Sequence, residues 1–135
     1  MNAATLMLAS LFGGAALPAS ATEWINCTDV GSNAGPRLNF LVGDVGVLSV
    51  AGLTISAGGK NWASDPIYGP GASVQVGQAY EDAESIRIDA LDAGFAVRVA
   101  ELRLFKASEG GAADVYAGTL RVPGVGAWAV SCDGP

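Results

Sequence analysis

The chain has 135 residues, with 13 Asp and Glu against 7 Lys and Arg, 2 cysteines, 19 glycines and no histidine. Without histidine there is no Ser-His-Asp triad, no Cys-His dyad, no imidazole metal ligand and no side chain whose ordinary pKa lies near neutrality. The net charge of −6 argues against nucleic acid or an anionic membrane surface as a partner. The length is that of one domain.

Residues 1–21 have the features of a secretory signal peptide. No charged side chain precedes Glu23, residues 3–17 are apolar and small, and Ala19-Ser20-Ala21 matches the small-x-small pattern that signal peptidase cleaves. The n-region contains no Lys or Arg. The alternative is an uncleaved membrane anchor, but the apolar run is shorter than the roughly 20 residues that span a bilayer.

Cleavage leaves residues 22–135, which we expect to form a single domain with no membrane span. The location is then the periplasm or the extracellular medium, and the alanine-rich style of the signal indicates a bacterial source.

Cys27 and Cys132 lie near opposite ends of this domain. In an exported protein, two cysteines and no other thiol indicate one disulfide bond. Both residues lie in apolar alternating segments, so we expect the bond to join the first and last strands. The alternatives are two free thiols or a metal site, but two sulfurs without histidine supply only part of a zinc site.

The domain shows period-two alternation and recurrent glycine rather than helical periodicity. Residues 85–90 and 95–99 alternate on either side of Asp92-Ala93-Gly94, which predicts a β-hairpin. The apolar phase changes after residue 99, which predicts a β-bulge near Ala100-Glu101.

Four further segments are strand-like, and residues 78–83 are compatible with one helical turn. The segments are 37–42, 45–56, 115–122 and 127–132. We therefore predict an all-β domain. It is either a single antiparallel β-sandwich or a small closed β-barrel of about 7–9 short strands, with the disulfide joining the first and last strands.

Residues 60–71 form the least strand-like stretch, with two prolines and two aromatic residues. Loops on rigid β scaffolds are common binding sites. Trp62 and Tyr68 flank Asp65, an arrangement in which the rings can stack on a sugar while the carboxylate accepts its hydroxyls. We predict these three residues as a ligand-binding site. The alternative is that both aromatic rings fold inward and pin the loop to the core.

Carboxylates cluster over residues 81–84. In an extended chain Asp82 and Glu84 share one face about 6–7 Å apart, near the separation that inverting glycosidases use. The alternative is a solvated acidic turn. Asp89 and Asp92 add oxygen ligands for calcium, but no D-x-D-x-D-G spacing is present. We predict no metal site and no cofactor.

The remaining large or charged residues of the second half fit structural roles. Tyr80 and Tyr116 lie in or beside strands and are assigned to the core. Arg98, Glu101 and Arg103 are assigned to a solvent-facing side, where individual ion pairs contribute little stability.

The sequence favours a non-enzymatic binding or interaction protein of the cell envelope or extracellular space. Its ligand or protein partner is unspecified, with carbohydrate as one candidate. The alternatives are a carboxylate-dependent hydrolase acting on glycans, with Asp82 and Glu84 as its acidic pair, and a purely structural envelope component.

Overall fold

The computed structural model describes residues 13–14, 22–44 and 48–134. The predicted signal peptide, apart from Gly13 and Gly14, lies outside the described residues. Within them the chain forms nine β-strands and one short 3-10 helix, Pro66–Tyr68. The strands are β1 (Glu23–Asp29), β2 (Arg37–Asp44), β3 (Leu48–Ala57), β4 (Lys60–Ala63), β5 (Ala72–Glu81), β6 (Ser85–Asp92), β7 (Arg98–Ala107), β8 (Val115–Val122) and β9 (Gly126–Asp133).

The nine strands form a closed barrel in chain order. Each strand pairs with its neighbours in sequence, and β1 pairs with β9 to close the cylinder. The predicted all-β class is confirmed, and of its two architectures the structure adopts the barrel. One pairing differs from the predicted antiparallel pattern, because β4 and β5 are parallel. Residues 64–71 lie between these two strands and return the chain to the barrel end where β4 began.

The interior is filled by side chains that alternate inward along the strands. Twelve of the largest are almost completely buried. They are Phe40, Leu38, Leu53, Ile55, Ile86, Ile88, Leu102, Leu104, Leu120, Val74, Val122 and Val130. In the described part of the chain, the inside of the barrel is therefore a packed core rather than a ligand-binding cavity.

The disulfide joins β1 to β9 as the sequence predicts. Cys27 and Cys132 face each other directly across the two strands, with a Cα–Cα distance of 4.0 Å. Cys27 is completely buried, whereas Cys132 is half-buried at the edge of the core. The bond therefore lies inside the barrel, across the seam that closes it.

The hairpin between β6 and β7 forms, but its second strand begins at Arg98 rather than at residue 95. Asp92 is the reason, because its Oδ1 accepts hydrogen bonds from the backbone N–H groups of Ala96 and Val97. These bonds hold the segment as a loop. Phe95 adopts a positive φ of 55° there and is exposed.

The phase change in β7 has the predicted cause. Ala90 pairs with Ala100 and Leu91 with Arg98, so Val99 is an extra residue in its strand. This β-bulge lies next to the predicted position. It places Leu102 and Leu104 in the core, on the same side as Ala100.

Removing the disulfide should destabilise the barrel substantially. The bond closes a separation of 105 residues, so the double variant Cys27→Ala/Cys132→Ala should lose about 4–5 kcal/mol of unfolding free energy in the chain-entropy account. Urea unfolding of the oxidised protein and of the variant measures the difference. Ser131→Ala, an exposed change on the same strand, is the control. A loss below about 1 kcal/mol in the double variant would contradict the expectation.

Candidate functional site

Trp62 lies on β4, inside the stretch that the sequence assigns to an irregular loop. It pairs across the strands with Ile55, whose side chain belongs to the core. The indole is half-buried and packs against the same cluster. Trp62 is therefore directed toward the barrel interior.

Asp65 is exposed, and its carboxylate holds the local backbone. Oδ1 accepts a hydrogen bond from the N–H of Ile67 at 2.9 Å, which caps the 3-10 helix Pro66–Tyr68. Ser64 fixes the same segment to β3, because its hydroxyl accepts from the N–H of Leu53 and its own N–H donates to the Leu53 carbonyl.

Tyr68 packs on the outer face of the barrel. Its ring meets the ring of Trp24 edge-on, with centroids 5.3 Å apart and planes at 78°. It also covers Gly52, where a Cβ would lie only 2.8 Å from Tyr68 Cε2. The structure thus places Trp62 and Tyr68 in different surroundings, one facing the core and the other lying over β3. Sugar binding by Trp62, Asp65 and Tyr68 stays a prediction.

The pinned segment leaves a cleft of about 400 Å³ beside it. The lining is mostly small and apolar, with one hydroxyl from Ser73, and consists of Ala63, Pro66, Gly69, Pro70, Gly71 and Ser73. Ile67, on the same segment, is 81% exposed. The cleft is a feature that the sequence does not reveal, because β5 supplies part of its lining.

Gly52→Ala should release this segment from the barrel wall. The new methyl group would occupy the space of the Tyr68 ring and separate it from Trp24. We expect faster hydrogen exchange at the amides of residues 65–69, measured by mass spectrometry. Gly43→Ala is the matched control, since a Cβ there meets nothing within 4 Å. Unchanged exchange in the Gly52 variant would mean that the packing of Tyr68 does not hold the segment.

The acidic stretch 81–84 consists of the last residue of β5 and the turn that leads into β6. Oδ1 of Asp82 accepts hydrogen bonds from the N–H of Glu84 at 2.9 Å and from the N–H and hydroxyl of Ser85 at 2.7 Å and 3.0 Å. These bonds, the one from Glu84 foremost, lower the pKa of the Asp82 carboxyl. A general acid requires the opposite shift, so this carboxylate is built to hold a turn.

Titration of Asp82 tests that assignment. Its carboxyl should titrate below its ordinary value of 3.8, because the ionised form holds three hydrogen bonds. Since the pKa is lower in the folded chain than in the unfolded one, the contribution to stability is present above pH 3.8 and lost as the pH falls through the folded-state pKa. Carboxyl carbon shifts measured by NMR give the midpoint, and Asp82→Asn identifies the signal. A midpoint above 3.8 would restore an acid role.

A second group of polar residues lies on the outer face of β6, β7 and β8. Glu101 on β7 accepts hydrogen bonds from Arg98 and, at 3.1 Å, from Arg121 on β8. The bond from Arg98, supported by that from Arg121, lowers the pKa of Glu101. The sequence correctly places Arg98 and Glu101 on the outer side of the sheet, but it reveals neither that the Glu101 side chain is largely covered nor that Arg121 joins them.

Asp89 on β6 points outward, yet it is buried. Its Oδ1 lies 2.8 Å from Nη1 of Arg103 on β7. Arg103 directs Nη1 toward the backbone carbonyls of Leu102 at 2.9 Å and Ile88 at 3.4 Å. The contact with Asp89 is therefore an ion pair without hydrogen-bond alignment, and Oδ1 has no donor within the described residues.

Arg87 completes this face. Its cross-strand neighbours are Tyr80 on β5 and Arg103 on β7, and one position further along β7 on the same side lies Phe105. Tyr80 is 49% exposed, which corrects its predicted place in the core, whereas Tyr116 is buried as predicted. Phe105 is 75% exposed.

No group of three or more acidic or cysteine side chains in the described ranges is arranged to hold a metal ion. None of the helices described there has the length and apolar character to cross a membrane. Comparisons with protein-family models, curated proteins and solved structures gave no match to this chain.

Proposed function

We propose that this chain is a small exported binding protein without catalytic activity, and that its ligand binds on the outside of the barrel at the cleft beside residues 64–71. The observation that carries the proposal is the preformed cleft itself, held by a capped helix, two bonds to Leu53 and the Trp24–Tyr68 contact. The disulfide is compatible with export into an oxidising compartment.

The packed interior supports an external site. Barrels that bind small ligands inside leave room between their inward-facing side chains, whereas here those positions are occupied by large buried side chains. A binding function then depends on the surface, and segments fixed to a rigid sheet are the usual place for it.

The size and lining of the cleft favour a small ligand with hydrocarbon surface. Its volume of about 400 Å³ lies within the range of small-molecule sites. The rings of Pro66 and Pro70 offer carbon surface, and the Ser73 hydroxyl offers one polar contact. We propose the hydrocarbon face of a saccharide or peptidoglycan fragment as the ligand, without ring stacking on Trp62 or Tyr68.

The test is an NMR titration of isotope-labelled protein with soluble peptidoglycan fragments and neutral disaccharides. Amide shifts confined to residues 63–73 are expected. Ser73→Trp places an indole in the cleft and should weaken binding at least tenfold, a difference of about 1.4 kcal/mol. Gln78→Trp adds the same side chain at another exposed position of β5 and should leave binding unchanged.

Two results would contradict the proposal. One is a set of shifts outside the cleft region. The other is binding of equal strength in Ser73→Trp and in the unmodified protein.

A further inference from the structure

The positive charge of the chain is concentrated on one side of the barrel. Four of its 7 basic residues project from the outer face of β6, β7 and β8, although the whole chain carries a net charge of −6. We call this group the arginine wall, and it consists of Arg87, Arg98, Arg103 and Arg121. The cleft beside residues 64–71 lies elsewhere, outside β4 and the beginning of β5.

The carboxylates of this face are covered, whereas the guanidinium groups reach solvent. The side chains of Glu101 and Asp89 are only 14% and 7% exposed. Those of Arg98 and Arg121 are 53% and 58% exposed. Pairing therefore covers these two carboxylates and leaves guanidinium groups facing outward. An approaching molecule meets arginine along these strands, and the exposed acidic turn 82–84 lies at their end.

Arg87 is the unsatisfied member of the arginine wall. It forms no ion pair with any residue that the structure describes. Its partner across β7 is Arg103, and like charges directly opposite each other in a sheet are destabilising. Arg103 is turned toward Asp89 and the backbone. An external carboxylate at Arg87 would relieve the repulsion and find a bidentate partner.

Two exposed aromatic rings flank that arginine. Tyr80 is opposite Arg87 on β5, and Phe105 is diagonal to it on β7. Diagonal neighbours in a sheet lie within reach of long and aromatic side chains. Exposed Tyr and Arg together with Phe form the composition that protein interfaces concentrate at their centres. A bare anion would use the arginines but would leave both rings in water.

We propose that the arginine wall, with Tyr80 and Phe105, is an interaction surface for an acidic segment of another protein. A carboxylate of that segment binds Arg87, and an adjacent apolar side chain packs on Tyr80 and Phe105. Charge complementarity identifies the partner as acidic, and the exposed rings identify it as a protein rather than a phosphate polymer. The proposal concerns a different face from the cleft and stands independently of saccharide binding.

The experiment is selection of a random displayed-peptide library on the full folded domain. Enriched peptides should carry Asp or Glu beside an aromatic or aliphatic residue, and their binding should weaken with added salt. Arg87→Glu should weaken the binding of a labelled enriched peptide at least tenfold. The fold should be kept, because Arg87 is exposed and unpaired among the described residues.

Matched variants separate this site from general electrostatics. Arg37→Glu makes the same substitution on β2, where the arginine is exposed. The change removes one hydrogen bond, from Arg37 to the carbonyl of Asn33. This variant should bind the peptide as the unmodified protein does. Phe105→Ser keeps the charge and should also weaken binding. Circular dichroism confirms that each variant is folded.

Three outcomes would overturn the proposal. The first is enrichment of no peptides, or of peptides without carboxylates. The second is equal loss of binding in the Arg87 and Arg37 variants. The third is Arg87-dependent binding to phosphatidylglycerol vesicles without peptide binding, which would assign the surface to anionic lipid. None of these results bears on the cleft, whose test uses saccharide fragments and Ser73→Trp.

Discussion

Every strand of this barrel has hydrogen-bonded neighbours on both sides only because β1 pairs with β9. An unpaired strand edge is a template for pairing with other chains, and closure is the arrangement that removes it. The disulfide lies across that same seam, where Cys27 and Cys132 are direct cross-strand partners. The bond therefore links the first and last strands, which are far apart in the sequence and must pair to close the barrel. Pairing β1 with β9 costs the unfolded chain the entropy of closing a long loop. The disulfide lowers this cost, because it already restricts the conformations of the unfolded chain.

Closure also determines where chemistry can be placed. Once the cylinder is closed and its inner positions carry Phe40, Leu38, Ile88 and similar side chains, these inward-facing residues are committed to packing. The outward-facing residues and the connecting segments remain. One such segment, residues 64–71, is attached to the outside of the barrel by contacts that leave a cleft beside it. One outward face, between β5 and β8, arranges four arginines over two covered carboxylates. Both surfaces lie outside a barrel whose described residues fill its interior.

The alternation of apolar residues along the chain predicted those parts of the fold that are set within a few neighbouring residues. Alternation located β6 and its hairpin with β7, and the change of apolar phase located the bulge at Val99 within a residue. The predicted start of β7 at residue 95 was wrong. Asp92 accepts hydrogen bonds from the N–H groups of Ala96 and Val97, and these bonds outweigh the strand-like alternation of Phe95 and Val97. β5 was missed because a second bulge, near Gly77, interrupts its alternation. Leu91 packs against that glycine, where a Cβ would lie 2.5 Å from its side chain.

The candidate sites were harder to predict because they depend on register. Tyr68 reaches Trp24 through the pairing of β1, β2 and β3, which brings Gly52 beside Leu41 and Leu41 beside Trp24. No spacing along the chain encodes that row. The arginine wall has a partial signal, since charged residues recur at intervals of two in β6 and β7. The alignment of Arg121 with Glu101, and of Arg87 with Arg103, is set by hydrogen bonds between strands.

That register also explains why the wall is positive. If every arginine of this face lay opposite a carboxylate on the neighbouring strand, the face would be neutral. Here Glu101 serves two arginines, Arg98 and Arg121, while Asp89 serves Arg103 alone, so Arg87 is left over. Its cross-strand partners are Arg103 and the ring of Tyr80, neither of which can neutralise it. A fold under selection for stability alone gains nothing from an arginine opposite another arginine. The surplus therefore fits a surface whose missing carboxylate comes from another molecule.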